Sequence, residues 1–495
     1  MAVKENSIKK NFFMNVLLTL STFIFPLITF PYVSRVLTPI GTGKVAMATS
    51  FVQYFVMFAQ LGIPTYGIRA VAKVRDDREK LTKTVHELLL LSAATSVIAY
   101  IILFALIPTI PKLATEKPLY YVMSATIFLN CIGIDWMYRG LEQYTYITVR
   151  SIIFKFIALV CMFLFIHDQS DYVIYGFISI LASSMSYVLN FINARKFIDM
   201  KWLGNYDFKP HLKAVAIFFA MSVATTVYTN LDTVMLGFMT SDVDIGYYNA
   251  AIKIKTVLVS IVTSLGAVLL PRASYYVEQN KMKDFRTIST KALDFVLVAS
   301  IPVTIFFIYF ARQGVMLLSG SAYMGAIQPM QILMPTCILI GVTNILGIQM
   351  LVPLGRERAV LNSEILGAVV DLVLNFLLIP KYAASGAAIG TLVAEISVFI
   401  YQVVVLWSVI KPMVKNLSYL KILVATVLSL AATFWIPALG FNNFYTLAIS
   451  GTLFFAIYLG YLYLRKEPIV LDAMNTIRNK VQERTRKNKQ GESAT

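Results

Sequence analysis

The sequence predicts an all-α polytopic membrane protein of about fourteen transmembrane helices, arranged as two six-helix lobes followed by a further helix pair. Three observations predict it. The 495 residues are 58% apolar and only 14% charged, whereas soluble domains run near ~45–50% apolar and about 25% charged. The apolar residues gather into stretches of roughly 20, the length that crosses a hydrocarbon core about 30 Å thick. The Lys and Arg residues fall between those stretches and crowd into every second loop.

The stretches are 11–33, 45–64, 86–107, 119–138, 147–166, 172–193, 213–237, 248–270, 291–311, 326–350, 360–379, 384–407, 420–437 and 444–464. Transmembrane β-strands would be shorter and would alternate polar with apolar residues. Pro26, Pro302 and Pro335 lie inside spans, as membrane bundles tolerate. The first run follows Lys9 and Lys10 and lacks a small-residue cleavage site, so it is a span rather than a cleavable signal.

The basic segments are the N-terminus (Lys4, Lys9, Lys10), 69–83, 139–150, 195–213, 272–291, 356–358, 411–421 and the tail from Arg465. All fall on one side of the alternation. The positive-inside rule places that side, with both termini, in the cytoplasm, and this requires an even number of spans. The net charge of +17 is thereby a matter of topology. No soluble domain gathers the cations with aromatic platforms, so no nucleic-acid partner is expected. Cys131, Cys161 and Cys337 lie in apolar stretches, and His86, His167 and His211 are isolated. Neither a disulfide framework nor a metal site is expected.

Gly43 and Gly246 precede the second and eighth spans, and Arg69 and Arg272 follow the same two spans at the same spacing. Gly140-Leu141-Glu142 after the fourth span is echoed by Gly355-Arg356-Glu357 after the tenth. These echoes imply a duplicated six-helix unit: an N-terminal lobe over 1–200 and a C-terminal lobe over 201–410. Two further helices (411–464) and a basic cytoplasmic tail (465–495) follow. Six is even, so the copies share one orientation and are related by a pseudo-two-fold along the membrane normal. Transporters with this plan hold cargo between their lobes.

FPLITFPYVSRVLTPIGTGKVAMATSFVQYF (25–55), AQLGIPTYGIRAVAKVRDDREKL (59–81) and LNFLLIPKYAASGAAIGTLVAE (374–395) resemble oligosaccharide flippases. These form the polysaccharide-transport branch of the multidrug/oligosaccharidyl-lipid/polysaccharide exporter superfamily, and the resemblance spans the chain. It implies a V-shaped pair of lobes that alternates between inward-open and outward-open forms. The implied cargo is an undecaprenyl-diphosphate-linked oligosaccharide repeat unit, moved from the cytoplasmic to the outer leaflet of the bacterial cytoplasmic membrane. Such units feed O-antigen, capsule or related polysaccharides, so membrane lipids, a polysaccharide polymerase and other assembly proteins are the expected partners. A cation-coupled multidrug exporter and a lipid II flippase are alternatives within the superfamily. A membrane-embedded polymerase or ligase would depend on a large outer loop, and the longest here is short (about 312–325). No bond is broken by flipping, so the chain is not read as an enzyme, and no catalytic residue or cofactor is expected beyond Na⁺ or proton coupling.

The cargo's diphosphate and sugars must cross the hydrocarbon core, so ionisable residues at membrane depth are the site candidates. Lys253 and Lys255 on the eighth span are the leading diphosphate contacts, joined by Arg35 and Lys155. Residues two apart on a helix diverge by about 200°, so the two lysines do not face one groove equally. Asp232, Asp371, Asn375 and Thr391 form a candidate ion-coupling set of oxygen ligands, with Asp371 and Asn375 one turn apart on one face. Asp135 and Glu395 are further acidic residues, read as partners for Lys155 or the Lys253/Lys255 group. Trp136, Tyr138 and Tyr144 read as an interfacial aromatic belt.

Overall fold

The computed structural model describes residues 8–264, 266–414, 417–472 and 474–475, and every regular element among them is helical. Helix α1 (Ile8–Gln60) is 53 residues long, so it would extend about 80 Å if straight, nearly three times the hydrocarbon thickness. It breaks at Thr38 (φ 57°, ψ 179°). Thr38 precedes Pro39, and a proline ring disfavours helical backbone in the residue before it. The expected spans 11–33 and 45–64 are therefore two arms of one helix, joined by a single non-helical residue instead of a loop.

Leu61 and Gly62, both at positive φ, turn the chain into α2 (Ile63–Val74), which has a proline in its first turn. Asp77 caps α3 (Arg78–Thr109), accepting the Glu79 and Lys80 amides at 3.1 Å. The Lys80 amide foremost holds the exposed Asp77 carboxyl below its ordinary range. The elements α4 (Lys117–Gly133) and α5 (Asp135–Gly140) share one interrupted span, and α6 (Tyr144–Phe165) follows. Next, α7 (Tyr172–Ile180) and α8 (Tyr187–Asn193) are linked by a π-helical turn at Leu181–Met185.

The chain continues through α9 (Lys209–Met239), α10 (Asp242–Thr263), α11 (Gly266–Glu278), α12 (Met282–Tyr309) and α13 (Ala311–Ser319). Segments Ser321–Leu333 and Thr336–Leu351 form one span bent by 43°. They contain α14 (Ile327–Leu333) and α15 (Thr336–Asn344), with Pro335 at the bend. Helix α16 (Glu357–Val414), 58 residues long, breaks at Ala383 (φ 46°, ψ −126°). Last come α17 (Tyr419–Thr433) and α18 (Asn443–Leu464).

Among the described residues, eleven helices are long and apolar enough to cross a membrane, or twelve with the bent pair counted as one span. Each arm of α1 and α16 exceeds the roughly 20 residues a span needs, so the fold accommodates the expected fourteen crossings. Exposed Ile101, Phe156, Phe376 and Val404 would be an aggregation surface in water, and in a bilayer they meet acyl chains.

The chain divides into two compact units. One comprises the chain up to Ala250 with Leu318–Ala326 and Leu372–Ala387; the other comprises Ala251–Leu317, Ile327–Asp371 and the chain from Ala388 onward. Such units report packing, whereas the division near residue 200 rests on internal symmetry. In the first unit, Val33 and Leu37 on the first arm of α1 pack with Ala158 and Met162 of α6. Val45, Val52 and Val56 on the second arm pack with Leu103 of α3 and Met123 of α4. Trp136 and Tyr138 are buried here too, Tyr138 donating to the Asn190 carbonyl at 2.7 Å. They are core residues and not an interfacial belt, because the break before α5 turns its short helix into the packing between α2 and α6.

In the second unit, α12 is central. Phe285 and Val296 pack with Met350 and Leu406, and Val298 packs with Ile422 of α17 and Tyr458 of α18. Tyr458 donates its hydroxyl to the Val298 carbonyl at 2.8 Å. Residues 468–472 are helical, with buried Val470 packed into the same cluster; the basic tail from 476 lies outside the described residues.

The arms of α16 fold back on each other so closely that a Cβ on Gly386 would lie 2.5 Å from the Leu378 carbonyl oxygen. In a straight helix these residues would be about 12 Å apart. Gly386→Val should therefore lower the thermal unfolding midpoint in detergent by several degrees. Gly460→Ala, where a Cβ meets nothing within 4 Å, should leave it unchanged or raise it slightly. Equal midpoints for both variants would refute the close hairpin.

Candidate transport site

The break of α1, the α3–α4 connection, the start of α10 and residues 318–326 meet at the helix ends opposite the Lys- and Arg-rich loops. All belong to the first unit. A Cβ on Gly43 would overlap the Asp242 carbonyl, and a Cβ on Gly246 would overlap the Pro39 carbonyl. Pro39 and Asp242 stand at the same sequence spacing as Gly43 and Gly246. The contact is thus reciprocal, each repeat glycine meeting the other repeat's equivalent position, as a two-fold relation demands. Glycine is required at both places because the two backbones touch.

Polar contacts surround this crossing. Lys112 Nζ lies 2.6 Å from Asp242 Oδ1, and Lys44 Nζ lies 2.6 Å from Glu116 Oε1. The Tyr172 hydroxyl donates to Glu116 Oε2 at 2.7 Å, and its ring lies beneath the Lys44 ammonium. Buried Tyr323 shares a hydrogen bond of 2.6 Å with Thr42 Oγ1 and donates to the Thr38 carbonyl at 3.0 Å. Ser34 donates to the Leu318 carbonyl at 3.3 Å. Partly exposed ion pairs contribute about 1 kcal/mol or less each, so the junction is close in shape yet held by contacts that water can replace. Arg35 belongs to this junction, its guanidinium donating to the Pro31 carbonyl and, at 3.5 Å, to Leu318.

The acidic set has a built centre. Asp232 of α9 is buried; the Asn375 amide donates to its Oδ1 at 2.6 Å, and the Tyr248 hydroxyl donates to its Oδ2. Buried carboxylates need such partners, since an uncompensated one is strongly destabilising. The Asn375 Oδ1, also buried, meets no donor among the described residues. Asp371, one turn earlier on α16, and Thr391 and Glu395 on its second arm are all buried in the second unit. No group of three or more His, Cys, Asp or Glu side chains fit for a metal ion occurs among the described residues. The sequence did not single out Tyr248, because nothing in IGYYNAA distinguishes it from its neighbour Tyr247.

Among the cations, Lys155 donates to Ser21 Oγ at 2.7 Å, joining α6 to the first arm of α1. Lys253 and Lys255 are half-buried on either side of buried Ile254, in the second unit. Asp135 pairs neither with Lys155 nor with these lysines. Its Oδ2 takes Arg139 Nε at 2.8 Å and its Oδ1 takes Arg150 Nη2 at 2.7 Å. Asp135 and Arg139 are one turn apart on α5, and α6 starts early enough to carry Arg150 across them. Arg150 is buried, donates to Ser186 Oγ at 3.1 Å and lies over the Tyr187 ring. In the sequence it groups with the basic segment 139–150, although it lies inside the span expected from 147.

Residues 8–277 match the polysaccharide biosynthesis protein family, and residues 216–377 match the MatE family. A protein named "Putative O-antigen transporter" in Escherichia coli (strain K12) is 24% identical over 400 residues, covering 80% of this chain and 95% of its own. One of the same name in Shigella dysenteriae is 22% identical over 413 residues, covering 80% and 98%. The solved structure of the lipid II flippase MurJ in an inward closed conformation aligns with a TM-score of 0.73 at 16% identity, over 92% of this chain and 100% of that one. An inward-facing multidrug resistance MATE family transporter of the MOP superfamily gives 0.61 at 14% identity, over 78% and 95%. These two establish the shared fold. With more than half of its length matched, the chain belongs to the polysaccharide biosynthesis protein family.

Proposed function

We propose that this protein is a flippase for lipid-linked oligosaccharides. It carries a polyprenyl-diphosphate-linked repeat unit from the cytoplasmic to the outer leaflet of a bacterial cytoplasmic membrane. The observation that supports this most directly is the reciprocal Gly43/Gly246 crossing with its rim of water-replaceable contacts. Alternating access needs an end that closes tightly and reopens, and a close crossing rimmed by partly exposed ion pairs suits that need. The named relatives covering 80% of the chain favour saccharide cargo over drugs. The basic loops put both termini, and the opposite end of the bundle, in the cytoplasm.

The isoprenoid tail stays in lipid while the diphosphate and sugars cross between the lobes. Lys253 and Lys255 present the leading cations for the diphosphate, with Lys155 contributing from α6. Arg35 offers a guanidinium fork once its backbone carbonyl contacts open. No covalent bond changes, so the protein acts as a carrier and passes the unit to a polymerase and other assembly proteins on the outer face. Asp232 with Asn375 supplies oxygen ligands for Na⁺ or a proton in the first unit, and Asp371 and Thr391 are the further oxygen-bearing candidates in the second. Coupling of this kind would drive the return of the empty carrier.

In proteoliposomes holding a fluorescent polyprenyl-diphosphate oligosaccharide, the protein should make the inner pool available to an impermeant quencher. The Lys253→Ala/Lys255→Ala double variant should slow that rate at least about tenfold, which corresponds to about 1.4 kcal/mol of lost stabilisation. An unchanged rate would remove both lysines from the cargo path, and no transport by the native protein would sink the flippase assignment. Asp232→Asn should abolish any response of the rate to a Na⁺ or proton gradient while leaving gradient-free exchange. A retained response would exclude Asp232 from coupling.

A further inference from the structure

Two openings adjoin α12 at successive levels along its length, both within the second unit. The first is a cavity of about 460 Å³ at the start of the helix. Its wall carries Lys283, Arg286 and Lys291, with Asp294 at the inner end. All four line the same cavity. Met413 at the end of α16 and Asp472 after α18 help to close it. Asp294 is already engaged, accepting the Ser418 amide at 2.9 Å and its hydroxyl at 3.3 Å. The three cations form no ion pair with a carboxylate among the described residues. The positive end of the α12 dipole adds to their field.

The second opening is an apolar slot of about 250 Å³, beginning one turn further along α12. It is lined by Val298, Ala299 and Pro302, by Ile261 of α10 and by Leu459 of α18. A cationic pocket followed one turn deeper by an apolar slot complements a molecule with a phosphate at one end and a hydrocarbon chain at the other. Two lipids have that chemistry here, a phospholipid and the polyprenyl diphosphate of the cargo. The volume of the pocket suits a compact headgroup, and no aromatic ring lines it to take a sugar.

We propose that this part of α12 is a binding site for an anionic phospholipid of the cytoplasmic leaflet. The phosphate sits among Lys283, Arg286 and Lys291, and one acyl chain fills the slot. Basic pockets between transmembrane helices on the cytoplasmic side recognise acidic headgroups in this way. The leaflet assignment rests on the membrane orientation proposed above; the binding chemistry does not. Because the lipid touches α12, the end of α16 and the segment after α18, it would fasten the last helix pair to the rest of its unit.

The test is native mass spectrometry of the full chain in neutral detergent, titrated separately with phosphatidylglycerol, phosphatidylcholine and undecaprenyl diphosphate. The native protein should retain phosphatidylglycerol in preference to phosphatidylcholine. Lys283→Ala/Arg286→Ala/Lys291→Ala should weaken that retention at least about tenfold. Ala299→Phe, which fills the slot without changing charge, should weaken it as well, with circular dichroism melts showing that both variants fold. Equal retention of the two phospholipids, or phosphatidylglycerol retention unaffected by both variants, would overturn the proposal. Loss of undecaprenyl diphosphate but not phosphatidylglycerol in the triple variant would also overturn it, by making the pocket a cargo entrance. The flippase assignment is scored separately, by transport in phosphatidylglycerol-free vesicles, and the leaflet by whether Lys283→Cys resists an impermeant thiol reagent in intact cells.

Discussion

The transport account rests on one backbone contact, the crossing at which Gly43 meets the Asp242 carbonyl and Gly246 meets the Pro39 carbonyl. Side chains there would hold the strands apart, and the surrounding pairs, Lys112 with Asp242 and Tyr323 with Thr42 and Thr38, would lose their partners. The crossing is possible because Thr38 breaks α1 beside Pro39, turning a helix too long for any membrane into two arms. A local rule about the residue before proline thereby fixes where the two repeats approach each other. The same reciprocity explains why the two glycines recur at matching places in the sequence.

A junction of this kind suits a carrier. Its shape excludes water from the crossing, while its ion pairs and hydrogen bonds are of the sort that solvent replaces at small net cost. The buried Asp232, by contrast, is tied to Asn375 and Tyr248 away from water. A buried carboxylate at membrane depth is costly, and these two partners offset that cost. A close-packed junction held by replaceable contacts is what the proposed alternating access requires.

Much of the fold was legible because membrane burial leaves strong marks. Span length follows from hydrocarbon thickness, and orientation from the sidedness of Lys and Arg, so the helix order emerged from the sequence with small errors at the ends. The errors have common physical causes. The connection between the first two spans was expected as a loop, yet it stays helical, and polar residues there such as Thr42 and Lys44 find side-chain partners in Tyr323 and Glu116. Trp136 and Tyr138 were expected at the membrane surface, but a break at Ile134, whose backbone is left-handed, turns them into the core. Asp232 and Asn375 were legible as candidates because strongly polar side chains are rare at membrane depth. Their partner Tyr248 was not, because tyrosines are common in this chain and pairing across helices leaves no periodic mark. Arg150 was missed for a similar reason, since its ion pair with Asp135 depends on how α5 crosses α6.

The most direct test of the account is a reversible tether across the junction. With Cys131, Cys161 and Cys337 replaced by alanine, Lys112→Cys and Asp242→Cys would be bridged by a short disulfide-forming bifunctional reagent. The appearance of lipid-linked repeat units in the outer leaflet would then be followed. The account predicts that bridging halts their appearance and that a reductant restores it to the unbridged rate. Transport continuing unchanged through the bridged protein would contradict it, because the cargo would then reach the outer leaflet without this end of the molecule opening.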